Sequence, residues 1–83
     1  MGLTKEALFE TFDKARETES PFVFVAIHAV DAEEVIAIPA ASFDAKEQFY
    51  DKAYGDDLVH VMNSNVYIIG LSYGRAEVLN DIA

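Results

Sequence analysis

The sequence predicts an α+β domain of order α-β-β-α-β-β. Its sheet is four-stranded and mainly antiparallel, with two helices packed on one face and room for a short C-terminal helix. Three observations carry this reading. Two segments repeat apolar residues at helical spacing, and two others are runs of β-branched and aromatic residues split by polar turns. At 83 residues, 52% hydrophobic and 12% aromatic, the chain has the composition of one packed domain, residues 1–83.

Thr4 to Thr18 reads as the first helix. Leu8, Phe12 and Ala15 fall at i, i+4 and i+7 with Phe9 beside them, and Glu10 and Lys14 form an i,i+4 pair on the opposite side. Ser20-Pro21 ends it, because a residue before proline is pushed out of the helical region. Phe22 to Val30 then reads as a strand. Asp31-Ala32-Glu33-Glu34 reads as its turn, and Val35 to Ile38 as the return strand stopped by Pro39.

Ser42 to Tyr54 reads as the second helix. Asp44 and Glu47 have the spacing of a capping box with Asp44 as N-cap, Ala45, Phe49 and Ala53 form the expected stripe flanked by Tyr50 and Tyr54, and Gly55 is placed as a left-handed stop. A second hairpin is expected from Leu58–Met62, the turn Asn63-Ser64-Asn65, and Val66–Tyr73, after which Gly74 breaks the strand. Arg75 to Ile82 reads either as a short helix through Val78, Leu79 and Ile82 or as a frayed end.

This order is that of a ferredoxin-like fold begun one strand late, a resemblance of element order that implies nothing about function. It would place the Phe22–Val30 strand at an edge. That strand is apolar on both faces, which argues for a central position, so strand order is left open. The same two-sided apolarity predicts that something covers the second face of the sheet, and a symmetric copy is the expected cover. Phe22, Phe24, Tyr67 and Tyr73 are the candidate self-association residues of a homodimer.

Fifteen acidic against six basic residues give a net charge of −9, which argues against direct binding to nucleic acid. The strands lack lysine and arginine, so Phe24, Tyr67 and Tyr73 do not read as base-stacking platforms. Between Arg16 and Lys46 there is no base, while Glu17, Glu19, Asp31, Glu33, Glu34 and Asp44 are all acidic. Asp31, Glu33 and Glu34 gather at the first hairpin tip and are the candidate contacts for a basic protein partner.

Catalytic and metal chemistry find little support. The absence of cysteine excludes disulfides, thiolate nucleophiles and thiolate metal sites. Tyr54-Gly55-Asp56-Asp57 spells the metal-binding tetrapeptide of RNA-directed polymerases, but it falls between a helix and a strand and reads as a helix stop and polar loop. His28 and His60, even with Asp56 or Asp57, have no recognisable ligand spacing. No serine sits in a nucleophile elbow, and no glycine-rich loop opens a helix.

The expectation is therefore a small acidic, non-catalytic protein-interaction or regulatory module, homodimeric and cytoplasmic, with no cofactor, no metal and no membrane partner. The N-terminus lacks the marks of a secretory signal or a myristoylation site, and no apolar run has the length of a membrane span. Two alternatives stand beside it. One is a phage-type acidic DNA mimic that inhibits a nucleic-acid-binding protein. Duplex DNA presents about 18 charges over ~30 Å, a density that only a dimer aligning its acidic stretches approaches. The other is a small enzyme with a site at a dimer interface.

Overall fold

A computed structural model of the chain describes residues 3–75. Helix α1 spans Lys5–Glu17, strand β1 Phe22–His28, strand β2 Glu33–Pro39, helix α2 Phe43–Ala53 and strand β3 Tyr67–Gly74, with a single 3-10 turn at Ala40–Ser42. Among the described residues the sheet has three strands in the order β2-β1-β3, antiparallel throughout. The central place of β1 agrees with its two apolar faces and sets aside the edge position implied by the ferredoxin-like order.

Helix α1 follows its sequence signals closely. Thr4 is the N-cap, its Oγ1 accepting from the Ala7 N–H at 3.3 Å, and Leu8, Phe12 and Ala15 are fully buried. The helix stops in a left-handed residue, but that residue is Glu19, with φ of 53°, rather than a glycine. The Ser20 N–H returns to the Ala15 carbonyl and the Glu19 N–H to that of Arg16, so the last carbonyls are satisfied.

In the first hairpin the turn is earlier than the sequence suggests. His28 pairs with Glu33, and the Ala29 N–H donates to the Ala32 carbonyl at 2.8 Å. The return strand thus begins at Glu33, and Glu33 and Glu34 belong to the sheet.

Helix α2 forms, yet presents a different face. Phe43 and Tyr50 are buried with Ala53 half-buried, while Ala45 is exposed and Phe49 is 53% exposed. The inward face is the one that puts Phe43 and Tyr50 into the core, and Arg16 of α1 pairs beside it. Its guanidinium donates to Asp44 Oδ1 at 2.8 Å and Glu47 Oε1 at 2.9 Å, and pairs with Asp13 at 3.2 Å. The Asp44–Glu47 side of α2 thus lies next to α1, and Phe43 meets Phe12 edge-to-face at 5.5 Å. The expected capping box does not form: Ser42 is the N-cap without a side-chain bond, and Asp44 lies inside the first turn. Tyr54 closes the helix in an extended conformation, and Gly55 is not left-handed.

The fourth strand, expected over Leu58–Met62, is absent among the described residues. Leu58 takes φ of 59°, which breaks an extended run, and its side chain is buried in the core. Local bonds hold the segment as turns: Asp57 Oδ1 accepts from the Val59 N–H at 3.1 Å and His60 Nδ1 from the Met62 N–H at 3.0 Å. The Val61 N–H returns to the Ala53 carbonyl at the end of α2, so only isolated bridges, Tyr54 to His60 and Val59 to Tyr67, remain. The expected terminal helix over Arg75–Ile82 lies, from residue 76 onward, outside the described residues.

The core lies between the helices and one face of the sheet. Leu8, Phe12, Val23, Val25, Ile38, Phe43, Tyr50, Leu58 and Ile68 form it. Burial pushes the Tyr50 phenol up to about 12, with neighbouring Tyr54 adding to the rise. No described helix is long and apolar enough to cross a membrane.

Three outcomes follow from this packing. Arg16→Ala is expected to destabilise the domain by about 1 kcal/mol and lower Tm by roughly 4–8 °C, with Arg16→Lys recovering less than half because the guanidinium fork is lost. An unchanged Tm would show that the clasp contributes nothing. Glu19→Gly relieves a left-handed side chain and should stabilise by about 1 kcal/mol in urea denaturation; a loss of stability would contradict the reading of that turn. A neutral Tyr50 contributes stability that is whole below the ordinary tyrosine value of about 10 and is lost as pH rises toward 12, where the unfolded chain has ionised first. Tyr50→Phe should flatten that part of the stability curve, and an identical decline in both proteins would exclude Tyr50 as its source.

Candidate interaction site

The β1–β2 tip and the loop before β3 emerge at the same end of the sheet, because His28 is paired with Glu33 on one side and with Tyr67 on the other. Asp31, Glu33 and Glu34 are all exposed at this end, but as consecutive residues of β2 Glu33, opposite His28, and Glu34, opposite Ile27, stand on opposite faces of the sheet. Glu33 Oε2 lies 3.4 Å from His28 Nδ1, and the His28 ring stacks on Tyr67 at 4.8 Å between centroids. Among the described residues no lysine or arginine pairs with any of the three carboxylates. Lys5 pairs with Asp51, and Arg16 with Asp13, Asp44 and Glu47.

Sequence reasoning missed the apolar part of this end. Val30 is 66% exposed at the tip, and Val61 and Met62 are 60% and 85% exposed in the loop leading to β3. Val61 and Met62 read as strand residues because β-branched and apolar types favour strands. The signal that could have placed them in turns was the flanking side chains, Asp57, His60 and Asn63, each of which accepts a backbone N–H two residues on.

The four candidate self-association residues do not share one surface. Phe22, Phe24 and Tyr67 lie on the sheet face turned away from the helices, with Phe22 and Tyr67 partly exposed, but Phe24 is only 1% exposed. Tyr73 faces the other way, lining a shallow groove with Ala7, Glu10, Thr11 and Lys14 of α1. The division arises from a β-bulge. Ala26 pairs with Gly70 and Ile27 with Ile68, leaving Ile69 without a partner, so the alternation of side chains in β3 shifts between Tyr67 and Tyr73.

The remaining polar residues weighed in the sequence are held by structural contacts. The Asp56 carbonyl accepts the Lys5 N–H at 2.9 Å, Asp57 closes its own turn, and His60 stands edge-on to Tyr54 at 5.2 Å. Among the described residues no three His, Asp or Glu side chains are grouped to hold a metal ion. Comparison with known proteins gave no matching family model, no matching curated protein and no matching solved structure.

Proposed function

We propose that the protein is a small acidic, non-catalytic interaction module that engages a basic protein segment through the tip end of its sheet. The observation that carries this reading is the pairing of two surface properties at one end. Three carboxylates stand without a lysine or arginine partner among the described residues, at the same end of the sheet as three strongly exposed apolar side chains, Val30, Val61 and Met62. Carboxylates alone keep a protein in solution; an apolar patch rimmed by like charge marks a contact surface.

The chemistry fits a partner segment that alternates basic and apolar residues. Its lysines or arginines would meet Asp31, Glu33 and Glu34, while its apolar residues would cover Val30 and Met62. The flexible methionine suits a surface that adapts to its ligand. Long-range attraction to a chain of net charge −9 would speed encounter and make it sensitive to salt.

The test uses a synthetic lysine- and leucine-containing amphipathic peptide titrated into the isotopically labelled protein and followed by amide chemical shifts. Shifts should concentrate in residues 29–34 and 60–67 and weaken as salt is raised. The double variant Glu33→Lys, Glu34→Lys should lower affinity at least about tenfold, with Tm unchanged because both side chains are exposed. Shifts elsewhere, or undiminished affinity in the double variant, would overturn the assignment.

A further inference from the structure

The loop from Gly55 to Val66 contains three turns of one kind. In each, a polar side chain accepts the backbone N–H two residues on: Asp57 from Val59 at 3.1 Å, His60 from Met62 at 3.0 Å, and Asn63 from Asn65 at 3.0 Å. Alike in geometry, the turns differ in chemistry. A carboxylate or an amide oxygen accepts a hydrogen bond at every pH between about 5 and 8. An imidazole nitrogen accepts only while it carries no proton, and histidine is the side chain that ordinarily gains its second proton within that range. The middle turn alone depends on a titrating acceptor.

The bond also fixes the state of the ring. With Nδ1 accepting from the Met62 N–H, the single proton of the neutral imidazole sits on Nε2. A second proton enters at Nδ1, on the line of this bond, and sets two donors against each other. The Met62 N–H then loses its partner. From α2 the ring is faced by Tyr54, edge-on at 5.2 Å, and burial raises that phenol above its ordinary value, so it stays neutral here. The loop itself contributes Asp57, whose Oδ1 is taken by the Val59 N–H, and β3 contributes Tyr67, bridged to Val59. Among the described residues no carboxylate forms an ion pair with His60.

Main-chain bonds on either side limit what the loss can do. The His60 N–H donates to the Val66 carbonyl at 2.8 Å and the Val61 N–H to the Ala53 carbonyl at 2.9 Å, and neither bond uses a titrating group. Leu58 stays anchored in the core. Loosening is thus confined to the turn after His60, where Met62 stands 85% exposed. His28 has the opposite response: its Nδ1 lies 3.4 Å from Glu33 Oε2, so a proton there strengthens a contact.

We propose that His60 is a pH-operated latch on the interaction end of the sheet: its neutral ring holds the Met62 turn closed, and protonation releases it. On the interaction reading given above, the Met62 part of the contact surface is then ordered near neutral pH and loose in mild acid. That consequence rests on the interaction reading; the latch itself does not.

The test follows the histidine ring nitrogens and the backbone amides of the isotopically labelled whole protein by NMR, from about pH 8 to about pH 5, with no partner present. Near neutral pH the His60 ring is expected to carry its proton on Nε2, with Nδ1 bare. On acidification the Met62 amide should shift with the same midpoint as the His60 ring, and its protection against solvent exchange should fall severalfold. The Val61 and Ile68 amides, bonded to main-chain carbonyls, should keep theirs. His60→Asn is the rescue variant, because Asn63 already makes the equivalent bond with an amide oxygen; its Met62 amide should stay protected throughout. A proton on Nδ1 near neutral pH would overturn the proposal. So would a Met62 amide indifferent to the His60 midpoint, or one that still titrates in His60→Asn. The measurement uses no peptide, so its outcome is independent of the peptide titration above.

Discussion

β1 bonds along both of its edges, to β2 from Phe22 to His28 and to β3 over the same residues, and it has apolar side chains above and below. That double burial is the constraint on which the rest of the domain depends. Val23 and Val25 require a helical layer on one side, and α1 and α2 supply it, held together by Arg16 and by Phe12 against Phe43. Phe24 and Ala26 require shielding on the other side. A domain this small buries only about 60% of its unfolded surface, so a central strand closed on both faces takes up much of the available apolar area.

The bulge at Ile69 controls what the sheet presents. Without it, Tyr67 and Tyr73 would stand on one face, since residues six apart in a regular strand point the same way. With it, Tyr67 stacks on His28 beside the acidic tip while Tyr73 faces α1. One unpaired residue therefore separates an aromatic pair and assigns its members to different surfaces. The same end of the sheet then combines carboxylates from a strand start, an apolar tip and a turn-rich loop, three features drawn from distant parts of the sequence.

The loop from Gly55 to Val66 shows how local bonding overrides strand propensity. Val59, Val61 and Val66 all favour extended structure, yet the buried side chain of Leu58 holds its backbone in a left-handed turn, and Asp57, His60 and Asn63 capture neighbouring N–H groups. Val61 and Met62 are consequently left exposed, which gives the acidic end its apolar component.

Signals that act over a few residues were legible in the sequence. The Leu8-Phe12-Ala15 stripe and the first hairpin depend on spacing within one or two elements. The features decided only by the tertiary structure depend on partners far along the chain. The inward face of α2 is the one that packs Phe43 and Tyr50 into a core shared with Phe12, 31 residues before Phe43. The parity of β3 is set by how it meets β1, and the turn at Leu58 by the core that receives its side chain. Periodicity reports which residues are apolar, but a helix with several aromatic side chains, or a strand apolar on both faces, has more than one plausible inward face. The choice between them belongs to the packing.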